Sequence, residues 1–165
     1  MARIAPLVLL LFVAAGVAVV LATSSVLPPT VASHFAAGGR AGGSMSRGGY
    51  QLLFAALMVG MPLVVYATTS WLPSRHPRLV NLPNRDYWLA GTRRESSLHA
   101  LRLFGLALAI SIVALFVALH FLILDAHAQT PPALDEGAFF VLIGAFVSAV
   151  LLLVALLYVR FRAPG

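Results

Sequence analysis

The feature that most constrains this chain is a series of four long apolar runs separated by shorter polar segments. The runs cover residues 4–26, 50–72, 101–124 and 138–159. Each is long enough to cross a bilayer as a helix, which needs about 20 apolar residues. Only 10% of the 165 residues are charged, against about 25% in soluble domains. The pattern therefore predicts an all-α integral membrane bundle of four helices with short loops, and it argues against a soluble fold.

The segments between the runs are too short to form a separate soluble domain. Residues 1–165 are therefore predicted to form a single transmembrane domain. Its connections are a Gly-rich loop at residues 27–49, an Arg-rich loop at residues 73–100 and an acidic loop at residues 125–137. The first run is interpreted as a retained helix because it exceeds the apolar stretch of about 7–15 residues in a signal peptide.

The arginines are distributed unevenly between the two sides of such a bundle. The Gly-rich loop holds two of them, Arg40 and Arg47. The opposite side holds the other nine: Arg3, Arg75, Arg78, Arg85, Arg93, Arg94, Arg102, Arg160 and Arg162. Cytoplasmic loops are enriched in basic residues, so both termini and the Arg-rich loop are predicted to be cytoplasmic. The Gly-rich and acidic loops are then outside.

The basic residues also indicate the source and the first partners of the chain. All eleven are arginine, which is typical of a GC-rich bacterial genome. In a chain this apolar, the net charge of +6 points to membrane orientation and to anionic lipids rather than to nucleic acid. Membrane lipids are therefore the first predicted partners, and no nucleic acid is expected.

The polar residues do not form a recognisable catalytic pattern. The chain has no cysteine and no lysine, and it contains no H-E-x-x-H motif, paired carboxylates or Ser/His/Asp series. No Asp, Glu or Arg lies in the hydrophobic centre of a span and His120 is the sole ionisable residue there, whereas a proton or ion pathway usually needs ionisable groups inside the membrane. The sequence therefore predicts a protein that is not an enzyme and that uses no cofactor.

A metal site is not predicted, although three residues near the outer side carry suitable ligand atoms. His34, Asp125 and His127 could share an ion only if folding brought them together. His120 lies about two helical turns, or roughly 10 Å, from His127, which is too far for both to bind one ion directly.

Several local patterns predict details of the helices. Thr92-Arg93-Arg94-Glu95 reads as a capping box, in which the Thr92 side chain would accept a hydrogen bond at a helix that begins near Arg93. Pro62 predicts a kink in the second span. Small residues permit close helix contacts. They recur at four-residue spacing at Ala14, Ala18 and Ala22, at Gly105 with Ala109, at Ala114 with Ala118, and at Gly144 with Ser148.

Two stretches outside the spans carry conspicuous motifs. In the Gly-rich loop the residues concerned are Leu27, Pro28, His34, Phe35, Ser46 and Arg47. In the Arg-rich loop they are Asn81, Pro83, Asn84, Arg85, Asp86, Tyr87 and Trp88. Together they resemble the signature of a bacterial membrane family, the domain of unknown function 1648 found in SdpI-like proteins. This chain departs from that pattern at Arg40 and Ala41, where an acidic residue is usual, and at Gly91-Thr92, which replaces proline-glutamate.

The resemblance implies a small bacterial inner-membrane protein, in a group associated with toxin immunity and with holding a regulator at the membrane. The first hypothesis is a non-catalytic protein that binds another membrane protein or a cytoplasmic partner through its loops. The alternative is an accessory subunit of a larger membrane complex, and a third is a small channel or permease. In the Gly-rich loop, His34 with Arg47 beside it is favoured for function, and the glycines are interpreted as a hinge.

The Arg-rich loop leaves two interpretations open. Asn84, Arg85, Asp86 and Tyr87 could form a docking surface for a cytoplasmic partner. In the other interpretation, Arg85 pairs with Asp86 or with a lipid phosphate, and the segment lies against the bundle.

Overall fold

The fold is given by a computed structural model that describes residues 4–162. Within this range the chain is mostly helical and forms four helices that are long and apolar enough to cross a membrane. They are Ile4–Val26, Arg47–Arg75, Arg93–Ala128 and Glu136–Phe161. The prediction of four long apolar helices is confirmed, and the chain has the character of a multi-pass membrane protein. Arg3, which was counted for the orientation, lies outside the described residues.

The individual elements follow one another along the chain. The helices are α1 (Ile4–Thr23), α2 (Arg47–Tyr66), α3 (Leu72–Arg75), α4 (Arg85–Trp88), α5 (Arg93–Ala128) and α6 (Glu136–Phe161). The short strands are β1 (Thr30–Val31), β2 (His34–Phe35), β3 (Ala41–Gly42) and β4 (Met45–Ser46). Single 3₁₀ turns occupy Ser24–Val26 and Pro77–Leu79.

The second long helix changes its geometry near one end. Helix α2 continues through Pro62, where the sequence predicts a kink. The chain then widens into π-helical turns at Ala67–Trp71 before α3 begins. These wide turns directly precede Pro73, whose ring would clash with the carbonyl of Thr69 in a regular α-helix.

The Gly-rich loop is folded into two nested antiparallel ladders, and we call residues 27–49 the cap. In the outer ladder β1 pairs with β4, with Thr30 opposite Ser46. In the inner ladder β2 pairs with β3, with His34 opposite Gly42. Gly38 and Gly39 close the inner hairpin with φ angles of 80° and 69°, which glycine adopts readily because it has no Cβ. The glycines thus form a turn within an ordered cap.

Helix α5 begins at Arg93, as predicted, but the predicted capping box is wrong. Thr92 has φ −68° and ψ −19°, and its side chain makes no capping hydrogen bond. An N-cap residue normally has an extended backbone, which lets its side chain reach back to the first amides. Thr92 is instead already helical. Glu95 lies in the first turn of α5, where a negative charge is favourable to the helix dipole.

Helices α1, α2 and α5 pack together around one apolar core. Its buried residues include Leu9, Val13, Val20, Phe54, Met58, Ala109 and Val113. Gly16 lets the helices approach closely, since a Cβ there would lie 2.7 Å from the Met58 sulfur. Helix α6 contributes little, because Phe161 at its end is its only buried residue among those described.

The small-residue predictions have different outcomes. Gly105 and Ala109 are buried, so the contact face predicted on α5 is confirmed. Ala14, Ala18 and Ala22 are exposed, so that prediction is wrong, because α1 turns its Leu9–Val13–Gly16–Val20 stripe inward instead. Gly144 and Ser148 on α6 are exposed, and so is Ala114 on α5.

Candidate functional site

The two ends of the bundle are called the His120 end and the Trp88 end, after one side chain at each. At the His120 end lie the cap, the end of α1, the start of α2, the end of α5 and the start of α6. At the Trp88 end lie α3, α4, the start of α5 and the end of α6. Most of the polar contacts that join separate helices are found at these two ends.

His120 is the centre of the polar contacts at the His120 end. Its side chain is completely buried in α5. Its Nε2 lies 2.7 Å from the Thr23 hydroxyl at the end of α1, and its Nδ1 lies 2.6 Å from the Tyr50 hydroxyl at the start of α2. One imidazole therefore joins the three helices that form the core.

The hydrogen bonds of this cluster have a direction that can be assigned. The Thr23 hydroxyl donates its only proton to the Val19 carbonyl oxygen at 2.6 Å. Thr23 must then accept from Nε2–H of His120, which leaves Nδ1 as the acceptor for the Tyr50 hydroxyl. The chain of donors runs from Tyr50 through His120 and Thr23 to Val19, and it requires a neutral imidazole.

Aromatic rings surround this imidazole. The rings of Tyr50, Phe54 and Phe121 have centroids 5.8, 6.0 and 5.8 Å from that of His120. Both ring nitrogens are already bonded and the side chain has no exposed surface, so the cluster binds helices to each other. A ligand could reach His120 only after one of these bonds had opened.

The first turn of α2 also holds the end of the first long helix. Arg47 Nη1 donates to the carbonyl oxygens of Ser25 at 3.0 Å and of Leu27 at 2.9 Å. Gln51 donates to the buried Ser24 hydroxyl at 2.7 Å. The last carbonyls of a helix lack intrahelical partners, and a positive charge there is favourable to the helix dipole. Arg47 thus has a structural role, because it binds the carbonyl oxygens that follow the end of α1.

The cap is bonded to the acidic loop and to α5 and α6. The Leu134 amide donates to the Gly39 carbonyl at 2.8 Å, and the Gly38 amide donates to the Glu136 carboxylate at 2.8 Å. A Cβ on Gly39 would overlap the Leu134 carbonyl oxygen, whereas one on Gly38 would meet nothing within 4 Å. The two loops at this end therefore form one ordered surface.

A cleft of about 300 Å³ lies between the cap, α5 and the start of α6. The residues that line it are Phe35, Ala36, Ala37, Gly39, Leu119, Ile123, Leu134, Glu136, Phe139 and Phe140. Glu136 is the only charged residue in this lining, and the rest of the lining is apolar apart from backbone groups. Phe140 is 66% exposed. The cleft can therefore accept an apolar group beside a hydrogen-bond donor or a positive charge.

Of the three candidate metal ligands, Asp125 is exposed on α5 and the two histidines have other bonding partners. His34 is exposed in β2, with Nδ1 3.3 Å from the Ser33 hydroxyl. In His127, Nε2 accepts from the Ala32 amide at 3.1 Å and Nδ1 lies 2.8 Å from the Ile123 carbonyl oxygen. Within residues 4–162 no group of three His, Cys, Asp or Glu residues is close enough to hold a metal ion.

The remaining motif residues of the cap have identifiable places. Leu27 is buried in the core and Pro28 is exposed. Phe35 is half-buried and packs edge-on against His127, with centroids 6.0 Å apart. Ser46 is the N-cap of α2, since its hydroxyl accepts from the Gly49 amide at 3.0 Å. Folding explains most of this motif, and its exposed members are Pro28, His34 and Ser46.

At the Trp88 end, the second motif holds the end of α6. The Trp88 indole N–H donates to the Phe161 carbonyl oxygen at 3.0 Å, and the Asn84 side-chain amide donates to the same oxygen at 3.4 Å. Asn84 has φ 53°, a left-handed conformation that asparagine tolerates better than most residues. The Ser97 hydroxyl donates to the Trp88 carbonyl at 2.8 Å.

Arginines stack on the aromatic residues of this motif. The guanidinium of Arg93 lies 4.0 Å from the Tyr87 ring centroid, and that of Arg160 lies 4.8 Å from the Trp88 ring centroid. Arg85 pairs with Asp86 at 3.1 Å. The segment lies against the bundle, as the second interpretation of this loop held.

The exposed residues of the second motif are Asn81, Pro83, Asn84, Asp86 and Tyr87.

Sequence reasoning identified His120 as the ionisable residue of a span but missed Thr23 and Tyr50 as its partners. Those partners lie 97 and 70 residues away along the chain. One feature of the sequence points to such partners. A polar side chain inside a membrane needs bonding partners, and the polar residues at the ends of the other spans are the candidates.

Family models, curated proteins and solved structures give no significant match to this chain. The resemblance to the domain of unknown function 1648 therefore stays a prediction based on the two motifs.

Proposed function

We propose that this chain is a non-catalytic, multi-pass protein of a bacterial inner membrane that binds a partner protein through its cap. The observation that carries the proposal is the cleft of about 300 Å³ between the cap, α5 and α6. A role in signalling, immunity or envelope maintenance agrees with the family resemblance. In this assignment the cap lies outside the cytoplasm, in accordance with the arginine distribution.

The order of the cap favours recognition over a purely connecting role. Two ladders and the bonds from Gly38 and Gly39 to the acidic loop fix its backbone. A surface that is already ordered loses little conformational entropy when a partner binds. A flexible connector between two helices would need none of these contacts.

The lining of the cleft suggests the chemistry of the partner. Phe35, Leu134 and Phe139 offer an apolar floor, and the carboxylate of Glu136 lies among them. A protein segment with an apolar side chain next to a basic residue or a free backbone amide would complement this lining. Arg47 in the cap and His127 next to the cap already have bonding partners, which favours binding over catalysis.

An accessory subunit of a larger complex is the second candidate, and α6 is the observation in its favour. Large apolar side chains such as Val141, Leu151 and Tyr158 are 73%, 63% and 63% exposed along this helix. Lipid would cover such a face in a protein that works alone. Another membrane subunit would cover it in a complex.

A site-specific photocrosslinking experiment in cells separates these candidates. A photoreactive residue at Ala37 lines the cleft, and one at Val147 lies on the exposed face of α6. We expect Ala37 to form an adduct with a second protein.

A reporter that is active only outside the cytoplasm should work when fused at Gly43 and fail when fused at Asn84.

The matched control uses two neighbouring glycines with similar backbone angles. Gly39→Ala introduces a clash with the Leu134 carbonyl and displaces the cap, so the Ala37 adduct should disappear. Gly38→Ala has the same left-handed backbone but no neighbour in the way, so the adduct should remain. An Ala37 adduct that survives both substitutions would contradict the cleft, and adducts from Val147 alone would favour the accessory subunit.

A further inference from the structure

A second groove lies at the Trp88 end, on the face of the bundle between α1 and α5. Its volume is about 230 Å³. The residues that line it are Ile4, Ala5, Val8, His99, Arg102, Leu103 and Leu106. The groove begins near the start of both helices and runs toward the middle of the bundle. The cap and its cleft are at the other end, so this groove is independent of the proposed partner site.

The basic side chains lie together at the head of the groove. His99 and Arg102 are three residues apart on α5, and this spacing puts them on one face of the helix. Helical side chains lean toward the N-terminus of their helix, so Arg102 is directed toward the membrane surface at this end. The ion pair within residues 4–162 joins Arg85 to Asp86, and Arg102 is not part of it.

Other charged residues nearby lie outside the lining of the groove. Glu95 lies one helical turn before His99 and is exposed. Arg94 lies next to Glu95, and its guanidinium donates to the Ser74 carbonyl of α3 at 3.1 Å. The lining itself holds Arg102 and His99 and no carboxylate.

Below these charges the groove is apolar. Leu106 lies one helical turn, or about 6 Å, deeper than Arg102. Val8 lies one turn deeper than Ile4 on the facing helix α1. Leu103 is 52% exposed beside the groove. A hydrocarbon chain that enters from the basic head would contact Leu103, Leu106 and Val8 in turn.

We propose that this groove binds one phospholipid with an acidic headgroup. The phosphate lies between Arg102 and His99, and one acyl chain follows the groove between α1 and α5. A guanidinium presents paired N–H donors that match the oxygens of a phosphate. Basic pockets between membrane helices are suited to acidic headgroups. A zwitterionic phospholipid offers the same phosphate, but its ammonium group is repelled by Arg102.

The test is a lipid titration of the whole protein followed by native mass spectrometry. The protein is purified in a mild detergent and titrated with phosphatidylglycerol or with phosphatidylethanolamine of the same acyl chains. We expect one phosphatidylglycerol to bind preferentially. Arg102→Gln should weaken that first binding event by about tenfold, because a charge-assisted hydrogen bond is lost.

Two further variants separate a specific site from a general effect of charge. Arg75→Gln removes the same charge from an exposed residue at the same end of the bundle and should leave lipid binding unchanged. Ala5→Phe keeps every charge but fills the groove and should weaken the binding of both lipids. Equal binding of the two lipids by the unaltered protein, or equal losses in Arg102→Gln and Arg75→Gln, would overturn the proposal. Circular dichroism of each variant confirms that it is folded.

Discussion

The contact between α2 and α5 and the contact between α5 and α6 are built in opposite ways. Along the first, Phe54 meets Phe116 edge-on with ring centroids 6.0 Å apart, and Thr69 lies directly against Gly105. Along the second, the part of the interface toward the Trp88 end opens into a groove of about 330 Å³ lined by residues such as Leu103 and Leu156. The hydrogen bonds that join α6 to other elements lie at its ends.

This difference follows from the solvent. Lipid is as apolar as leucine, so helices in a membrane associate through close packing and hydrogen bonds rather than through the hydrophobic effect. Helices α1, α2 and α5 have both, in the glycine contacts and in the His120 cluster. Helix α6 accepts a bond from the Gly38 amide at its start, through the Glu136 carboxylate, and bonds from Trp88 and Asn84 at its end, through the Phe161 carbonyl. We therefore regard α1, α2 and α5 as the stable unit and α6 as an attached element.

The largest effect is expected from Gly105→Ala. The added methyl group would overlap the Thr69 hydroxyl, with Ser70 also close, and would force α5 away from the π-helical turns. Overpacking of this kind costs about 1–3 kcal/mol. The measurement is the free energy of unfolding in mixed detergent and SDS micelles.

Gly144→Ala on α6 is the matched control for this change. A Cβ at Gly144 would meet nothing within 4 Å, and alanine is the better helix former by about 1 kcal/mol. This variant should be as stable as the unaltered protein or slightly more stable. If both substitutions had the same effect, the distinction between the two helix contacts would be wrong.

A smaller effect is expected from Tyr50→Phe in the His120 cluster. The change removes the donor to Nδ1 of His120 and leaves a buried acceptor without a partner. Hydrogen bonds between membrane helices contribute about 0.6 kcal/mol on average and up to about 1.7 kcal/mol, and we expect the upper part of this range because the site is fully buried. The same unfolding assay measures the loss.

Tyr66→Phe serves as the control, because Tyr66 is a half-buried tyrosine on the same helix. Its hydroxyl makes no side-chain hydrogen bond to the described residues, so its removal should change stability very little. A loss in Tyr66→Phe equal to that in Tyr50→Phe would show that the His120 cluster does not hold the three helices together.

The helices could be predicted from sequence because hydropathy is a local property. The runs at residues 4–26 and 138–159 nearly match the helices Ile4–Val26 and Glu136–Phe161. The helix at Arg93–Ala128 is longer than its apolar run because polar residues at both of its ends continue it outside the run. Length and composition therefore predict which segments form long apolar helices, but they predict less well where each helix ends.

The pairing of side chains could not be predicted in the same way. Ala14, Ala18 and Ala22 have the spacing of a contact face, yet the twist of α1 relative to its neighbours turns Gly16 inward instead. Likewise, Arg47 and Trp88 belong to motifs that suggested recognition, and both bond to the ends of other helices. Such roles depend on which helix ends meet, and a single sequence does not contain that information.

The smallest effect is expected from Trp88→Phe, which tests how α6 is attached. The change removes the indole N–H that donates to the Phe161 carbonyl but keeps an aromatic ring for Arg160 to stack on. A single hydrogen bond of this kind contributes about 0.5–1.5 kcal/mol, and Asn84 still donates to the same oxygen at 3.4 Å. We expect faster amide hydrogen exchange in the last turn of α6, with unchanged exchange in α1, α2 and the middle of α5.

Trp71→Phe is the control. Trp71 is 57% exposed, so this substitution should leave α6 unaffected. Faster exchange throughout the bundle in Trp88→Phe would mean that α6 is an integral part of the stable unit, because loosening one end of an attached helix should not reach the core that His120 holds together.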